Sequence, residues 1–200
     1  MKQVLIKKGE AIVAEIPAPV AEPNEVLVQV QASCLSVGTE MSGVRSSAVP
    51  IWKKAFQKPE NVIKTLKMAS NIGLQRTWRL VEEKRDTAHP TGYSAAGIIV
   101  EVGGKVVDLL PGDRVACAGA QYAHHAEYIR VSENLCVPID PRLDWDSAAT
   151  VTLGAIAMQG VRRAQPSLGE TFAIIGLGVL GQLTAQILKV NGCRVIGIDI

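Results

Sequence analysis

A glycine-rich turn at Gly176–Gly181, with the sequence Gly-Leu-Gly-Val-Leu-Gly, has the spacing of a pyrophosphate-binding turn. Gly176 permits the tight turn, Gly178 lets a pyrophosphate approach the backbone, and Gly181 lets the following helix pack closely on the preceding strand. The pyrophosphate would then meet the unpaired N–H groups at the start of that helix. Val179 and Leu180 stand at this helix start and complete the predicted phosphate-binding set.

The elements around the turn occur in the order that a dinucleotide site needs. Thr171–Ile175 is a continuous apolar run, typical of a parallel strand buried on both faces. Arg194–Ile198 follows the helix as a second strand, and Asp199 stands at its end, 18 residues after Gly181. Its carboxylate would bind the adenosine ribose hydroxyls and repel a 2′-phosphate, which favours NAD over NADP. The alternative is a glycine-rich turn in another kind of α/β protein.

The residues before this segment predict a strand-rich domain with a helical interruption. Short apolar runs separated by Gly and Pro turns, within the first 40 residues and again from Ala95 onward, indicate a small, distorted antiparallel barrel. Helical periodicity interrupts them after Pro59 and again over Leu74–Glu83. A further helix is predicted over Ser147–Arg163, capped by Asp144 or Asp146. The expected domains are therefore residues 1–145, with a helical insert at 44–88, and residues 146–200.

Composition excludes several classes of protein. The chain has 200 residues, 48% of them hydrophobic, so it can bury a core. Its net charge of +2 is too small to argue for a nucleic-acid partner. No signal peptide or membrane span is predicted. No Cys-x-x-Cys pair occurs, and each cysteine is interpreted as a small buried hydrophobe in a reducing cytoplasm: Cys34, Cys117, Cys136 and Cys193.

The order of parts resembles the medium-chain dehydrogenase/reductase superfamily. The resemblance rests on a Gly-Asp-Arg-Val turn at Gly112–Val115, an Ala-Glu-Tyr strand at Ala126–Tyr128 and the glycine turn. It implies a GroES-like barrel followed by a Rossmann fold, here only its start of strand, helix and strand, as in a fragment. The segment Cys34–Glu40 and the insert resemble the first half of bi-domain oxidoreductases that serve polysaccharide biosynthesis.

The zinc ligands that this superfamily uses are not at their positions. Cys34 precedes the Gly38-Thr39-Glu40 run too early, and the position of the ligand histidine holds Tyr93 within Gly92-Tyr93-Ser94. A catalytic zinc needs three protein ligands, so no zinc is predicted. The resemblance then makes Thr39 and Tyr93 the best catalytic candidates, because hydride transfer still needs a donor to the substrate oxygen. Glu40 and Ser94 are supporting candidates. Alternatively, Thr39 and Glu40 only hydrogen-bond a turn and Tyr93 packs.

Three further features have weaker interpretations. His124 and His125 are placed on a strand, on opposite faces, so that only one would line a cleft. His89 is interpreted as a loop residue. Residues 51–86 hold nine Lys or Arg against four Asp or Glu, so the insert is either a lid that attracts an anionic substrate or a solvated helix face. The lid would use four lysines: Lys53, Lys54, Lys64 and Lys67.

Together these features predict a zinc-independent, NAD(P)-dependent oxidoreductase of a polar alcohol or carbonyl, with a sugar derivative as one substrate. The alternative is a non-catalytic module that binds cofactor or substrate within a larger protein. The 200-residue piece alone is expected to be inactive, because two strands and one helix supply only half of a cofactor pocket. A cytoplasmic location is expected, and the resemblance allows a homodimer of the complete protein.

Overall fold

The computed structural model describes residues 1–48 and 87–200, together with Ser70, Gly73 and Arg76. The predicted helices after Pro59 and over Leu74–Glu83, and the four insert lysines, lie outside the described residues. The described elements are, in chain order: β1 (Lys2–Lys7), β2 (Glu10–Glu15), β3 (Glu25–Ser33), α1 (Val37–Ala48), β4 (His89–Pro90), β5 (Ser94–Val102), β6 (Arg114–Ala118), β7 (Tyr128–Ser132), β8 (Cys136–Pro138), α2 (Trp145–Ala148), α3 (Val151–Ala164), β9 (Thr171–Ile175), α4 (Val179–Val190) and β10 (Arg194–Ile198).

The chain divides into two compact units. One unit contains Met1, residues 17–36 and residues 92–200; the other contains residues 2–16 and 37–91. In the second unit β1 pairs antiparallel with β2 on one side and β4 on the other. His89 therefore lies in a short strand, opposite Ile6, and its interpretation as a loop residue was wrong.

The first unit is built on a five-stranded antiparallel sheet in the order β7-β3-β5-β6-β8. Alternation along β3 places Val26 and Val28 on one face, where both are fully buried. The same core contains Ile99 of β5 and Val115 of β6. Two register shifts interrupt the pairing of β3 with β5, as expected where a sheet bends. This sheet is the predicted GroES-like barrel part of the fold.

The predicted helix over Ser147–Arg163 is two helices. Asp144 begins α2, and its Oδ1 accepts a hydrogen bond from the Ser147 N–H at 2.8 Å, which satisfies a donor at the helix start. The helix ends after one turn at Ala148, and α3 begins at Val151. Arg162 and Arg163 lie in the last turn of α3, where positive charge favours a helix.

After α3 the chain forms the predicted strand, helix and strand. β9 and β10 pair in parallel, with Ala173 opposite Ile196, and this pair is the start of a Rossmann fold. Val161 of α3, Leu188 of α4 and Cys193 are buried beside the two strands. The expectation that β9 is buried on both faces was wrong for this chain, since its residues alternate between exposed and half-buried. No helix among the described residues has the length and apolar character needed to span a membrane.

Candidate cofactor and active site

The glycine turn is shaped by backbone contacts that only glycine allows. Gly176 ends β9 with φ +94°, a conformation that glycine adopts without strain. A Cβ atom at Gly181 would lie 1.9 Å from the carbonyl oxygen of Gly176. The first turn of α4 therefore sits directly against the end of β9, as the sequence predicts.

The space beside Gly178 fits a bound phosphate. Gly178 is the residue before α4, and a Cβ atom added there would meet no atom within 4 Å. The first N–H groups of an α-helix have no partner within the helix and carry its positive dipole end. The helix start from Gly178 through Val179 and Leu180 to Gly181 therefore has the N–H donors that a pyrophosphate needs and open space beside Gly178. The residues present fit a dinucleotide.

Asp199 fastens the turn as well as facing the predicted ribose position. Its Oδ2 accepts a hydrogen bond from the Leu177 N–H at 2.7 Å, and its Oδ1 accepts one from the Ile200 N–H at 2.8 Å. These two bonds, that from Leu177 first, lower the pKa of the Asp199 carboxyl. Each carboxylate oxygen keeps a lone pair for a further donor, so a ribose hydroxyl can still bind. The contact with Leu177 was not predicted.

The four catalytic candidates fall in pairs on the two units. Thr39 is exposed and Glu40 nearly buried in the first turn of α1, where a carboxylate favours the helix. Glu40 Oε2 accepts a hydrogen bond from the Thr91 hydroxyl at 3.0 Å. Tyr93 and Ser94 belong to the other unit. The structure thus brings Thr39 together with Glu40, and Tyr93 together with Ser94.

The Ser94 side chain is buried and hydrogen-bonded to other parts of the fold. Its side chain is 0% exposed, its hydroxyl donates to the Ala149 carbonyl at 2.5 Å, and it accepts from the Thr152 N–H at 3.3 Å. The hydroxyl therefore links β5 to the junction of α2 and α3. Tyr93 is half-buried, and its carbonyl accepts from the Gly119 N–H at 3.0 Å.

The two histidines lie in irregular chain before β7, so the strand argument for their faces was wrong. The His124 ring nitrogen Nε2 is 3.3 Å from the Ala120 carbonyl oxygen. His125 Nδ1 is 2.8 Å from the Ser33 hydroxyl. A Cβ atom at Gly92 would lie 2.7 Å from the His125 backbone nitrogen. Gly92 thus lets the Tyr93 segment approach His125.

This neighbourhood adds Ser33 and His125 to the candidate polar groups near Tyr93. A histidine beside a hydroxyl is a pair that can pass a proton. In the sequence, the proximity of these groups to Tyr93 was indicated only by Gly92 before the tyrosine and by the adjacent histidines. Within residues 1–48 and 87–200, no three His, Cys, Asp or Glu side chains are grouped so as to hold a metal ion.

Comparison with known proteins finds similar chains but no matching protein-family model. The chain is 29% identical over 124 residues to (R,R)-butanediol dehydrogenase of Bacillus subtilis, which covers 50% of this chain and 36% of that protein. It is 30% identical over 109 residues to D-guloside 3-dehydrogenase of Escherichia coli, covering 54% and 31%. The chain thus spans about a third of the length of these curated relatives.

Solved structures share the fold over the whole chain. Galactitol-1-phosphate dehydrogenase of Escherichia coli superposes with a TM-score of 0.74 and 21% identity, covering 100% of this chain and 56% of that one. The quinone oxidoreductase of Escherichia coli, complexed with NADPH, gives a TM-score of 0.71 at 18% identity, covering 98% and 52%. The architecture is therefore a GroES-like barrel followed by the start of a Rossmann fold.

The similar proteins and structures are medium-chain dehydrogenases/reductases. The resemblance to this superfamily is thereby confirmed, in sequence over about half of the chain and in fold over nearly all of it. The narrower resemblance to the first half of bi-domain oxidoreductases stays a prediction.

Proposed function

We propose that this chain supplies the barrel and the first cofactor-binding elements of a zinc-independent, NAD-dependent oxidoreductase. The observation that carries the proposal is the turn between β9 and α4. A Cβ atom at Gly181 would lie only 1.9 Å from the Gly176 carbonyl oxygen, and the Leu177 N–H donates to Asp199 Oδ2 at 2.7 Å. In the complete protein further strands would extend the sheet beside β9 and β10. The chain alone would bind cofactor weakly or not at all and would be inactive.

The cofactor proposal gives each residue of the turn a defined task. The helix start at Gly178–Gly181 binds the pyrophosphate, and Asp199 accepts hydrogen bonds from the ribose hydroxyls. The negative charge of Asp199 repels a 2′-phosphate and makes NAD the preferred cofactor. When bound, the nicotinamide accepts or supplies the hydride.

The catalytic proposal concerns the substrate oxygen. Without zinc, a hydroxyl must donate to this oxygen as charge develops on it. Tyr93 and Thr39 are proposed for that donation, with Glu40 as the group that fixes the start of α1. Ser94 is proposed as a positioning residue, because its buried hydroxyl holds the start of β5. His125 and Ser33 are proposed to relay the proton between Tyr93 and solvent.

The substrate is proposed to be a small polar alcohol or carbonyl compound, with a sugar derivative as the leading class. D-guloside 3-dehydrogenase is among the similar proteins, which supports this choice, as does the resemblance to bi-domain oxidoreductases. An anionic substrate, a homodimer of the complete protein and a cytoplasmic location remain proposals of the same kind.

A non-catalytic binding module is the second candidate function. One observation favours it: two of the four catalytic candidates, Glu40 and Ser94, have buried side chains that already hold other residues of the fold. In that case the turn would bind cofactor and no step of the reaction would depend on Tyr93 or Thr39.

Cofactor choice is tested with the full-length protein through NADH and NADPH fluorescence titrations. The wild type should prefer NADH. Asp199→Asn keeps an oxygen that can accept from Leu177 but removes the charge, so the preference should fall by about tenfold, the range of ordinary surface electrostatics. Asp199→Ala, which also removes the hydrogen bond, should weaken both cofactors. A wild type that prefers NADPH would contradict the assignment of Asp199.

The geometry of the turn is tested with a matched pair of alanine variants. Gly181→Ala forces a Cβ atom against the Gly176 carbonyl and should disturb the amide NMR signals of the turn in the absence of cofactor. Gly178→Ala meets open space, so the turn should keep its signals. Both variants should lose cofactor affinity, Gly178→Ala because its methyl occupies the space for phosphate. Unchanged affinity in Gly178→Ala would show that phosphate binds elsewhere.

Catalysis is separated from binding by conservative variants of the full-length protein. Tyr93→Phe should lower kcat by about 10²-fold, the lower end of the effect of acid–base catalysis, and leave the Kd for NADH unchanged. Tyr122→Phe, another half-buried tyrosine of the same unit, serves as the control. Thr39→Val should lower kcat in the same way. Unchanged kcat in both variants would support the binding module.

A further inference from the structure

The thiols of Cys117 and Cys136 lie next to each other although the residues are 19 positions apart. Cys117 belongs to β6 and Cys136 to β8, and the antiparallel register places the two residues directly opposite one another. Their Sγ atoms are 3.7 Å apart. All four cysteines of the chain are in the thiol form.

This placement satisfies the backbone requirement for a disulfide. Directly opposed residues of antiparallel strands have Cα atoms about 4.5–5.5 Å apart, within the range that a disulfide spans. The sulfurs would then approach to bonding distance chiefly by rotation of the two side chains. We propose that Cys117 and Cys136 form a reversible dithiol–disulfide pair that is oxidised by a peroxide and reduced by a small dithiol.

The two thiols differ in solvent exposure, and this difference determines which of them is oxidised first. Cys136 is half-buried, whereas Cys117 is 1% exposed. The hydrogen bond with Cys136 and burial both raise the pKa of the Cys117 thiol, so Cys117 stays protonated and is a poor first target. Oxidation therefore begins at Cys136, whose thiolate attacks the peroxide.

The reaction balances with a peroxide as the oxidant. The Cys136 sulfur takes one oxygen and becomes a sulfenic acid, releasing one water from hydrogen peroxide and the thiol proton. The Cys117 sulfur then attacks the Cys136 sulfur, the S–S bond forms, and the sulfenic oxygen leaves as a second water with the Cys117 proton. Two thiols and one hydrogen peroxide give one disulfide and two waters.

Formation of the disulfide would fix the end of β6, which is hydrogen-bonded to the residues at Tyr93. The residue after Cys117, Ala118, pairs with Ser94, and Gly119 donates its N–H to the Tyr93 carbonyl. The Cys117 carbonyl also lies 3.5 Å from the Thr152 hydroxyl. Cys117 thus stands one residue from the end of β6, beside the start of β5 that follows the proposed catalytic tyrosine, yet oxidation of the pair does not depend on the proposed function.

The test oxidises the folded 200-residue chain with a small excess of hydrogen peroxide, alkylates the remaining thiols and maps the peptides by mass spectrometry. We expect a cross-linked peptide joining Cys117 to Cys136, a mass loss of about 2 Da for the two hydrogens removed, and full reversal by dithiothreitol. The oxidised chain should melt about 5–10 °C higher, because the bond closes a loop of about 20 residues.

Two controls make the result specific. Cys34→Ala/Cys193→Ala keeps only the proposed pair and should give the same cross-link, whereas Cys136→Ala should leave Cys117 unmodified. Peroxide treatment in guanidinium chloride should give a mixture of disulfide pairings among the cysteines, because the strand register is lost in the denatured chain. A native chain that gives sulfinic acid at Cys136, or oxidation at Cys34 while both paired thiols survive, would overturn the proposal.

Discussion

The five-stranded sheet and the glycine turn position their functional groups in opposite ways. In the sheet, residues far apart in the chain, such as Cys117 and Cys136, meet only because strands pair in one register. In the turn, the important contacts join Gly176, Gly181 and Asp199 within one strand–helix–strand segment. The sheet therefore depends on a cooperative core, whereas the turn is shaped by local backbone geometry.

Their burial differs accordingly. The sheet contributes fully buried residues such as Val26, Val28 and Val115. The strands beside the turn leave Ile175 and Ile198 largely exposed. The stability of this chain thus comes mainly from the sheet, and the cofactor geometry is carried by a segment that adds little core of its own.

The largest expected effect compares two isoleucines. Ile99 of β5 is 1% exposed and Ile196 of β10 is 54% exposed. Ile99→Ala should lower the free energy of unfolding by about 2–5 kcal/mol, because it leaves a cavity in a packed core. Ile196→Ala should cost well under about 1 kcal/mol. Urea denaturation of the 200-residue chain measures the free energy of unfolding of both variants. Equal losses of stability would show that the two regions share one core.

Ser94 provides the next test of the comparison. Ser94→Ala leaves the Ala149 carbonyl and the Thr152 N–H without their buried partner, so unfolding should become easier by about 1–3 kcal/mol. The control is Ser167→Ala, an exposed serine just before β9, with an expected change near zero. If the Ser94 variant were as stable as the control, the hydroxyl would not be a structural link.

A smaller effect concerns the pKa of His124, next to the sheet. Burial, as the largest cause, lowers the pKa of its imidazole. The neutral ring is favoured in the folded state, so its contribution to stability is complete above the ordinary pKa of about 6.5 and is lost as the pH falls through the lowered value. The ring signals in an NMR titration should give a midpoint below that of a histidine peptide. A midpoint at or above the peptide value would contradict the burial argument.

The smallest expected effect concerns Asp199, beside the turn. Here hydrogen bonds from Leu177 and then Ile200, with no burial, lower the pKa of the carboxyl. Its contribution is present above the ordinary aspartate pKa of about 3.9 and is lost as the pH falls through the lowered value. The amide signal of Leu177 should titrate together with the Asp199 carboxyl and stop doing so in Asp199→Asn. Independent titration of the two signals would show that the hydrogen bond does not form in solution.

The same contrast explains which features the sequence could predict. The strand, turn, helix and acid from Thr171 to Asp199 were predicted almost to the residue, because the positive φ of Gly176 and the close approach at Gly181 are local steric requirements. The strands of the sheet were predicted as elements, but their partners were not. The contact of Cys117 with Cys136 depends on the register of β6 with β8, and that of His125 with Ser33 joins residues 92 positions apart; periodicity encodes neither.

Two local features also escaped prediction. The break between α2 and α3 lies where the Ser94 hydroxyl donates to the Ala149 carbonyl, a partner 55 residues away. His89 joins a strand only because β1 lies beside it. Both depend on neighbours that are distant in sequence. The catalytic roles of Thr39, Glu40, Tyr93 and Ser94 stay predictions.

The hydrogen bond between Leu177 and Asp199 has a consequence for the thermodynamics of ligand binding. A glycine-rich loop loses much conformational freedom when it is ordered, and a loop that becomes ordered only on contact subtracts that loss from affinity. Here a side chain of the neighbouring strand already holds the loop before any ligand arrives. The entropy of ordering the loop is therefore lost during folding, and the proposed association with a cofactor would meet only a small further loss of entropy.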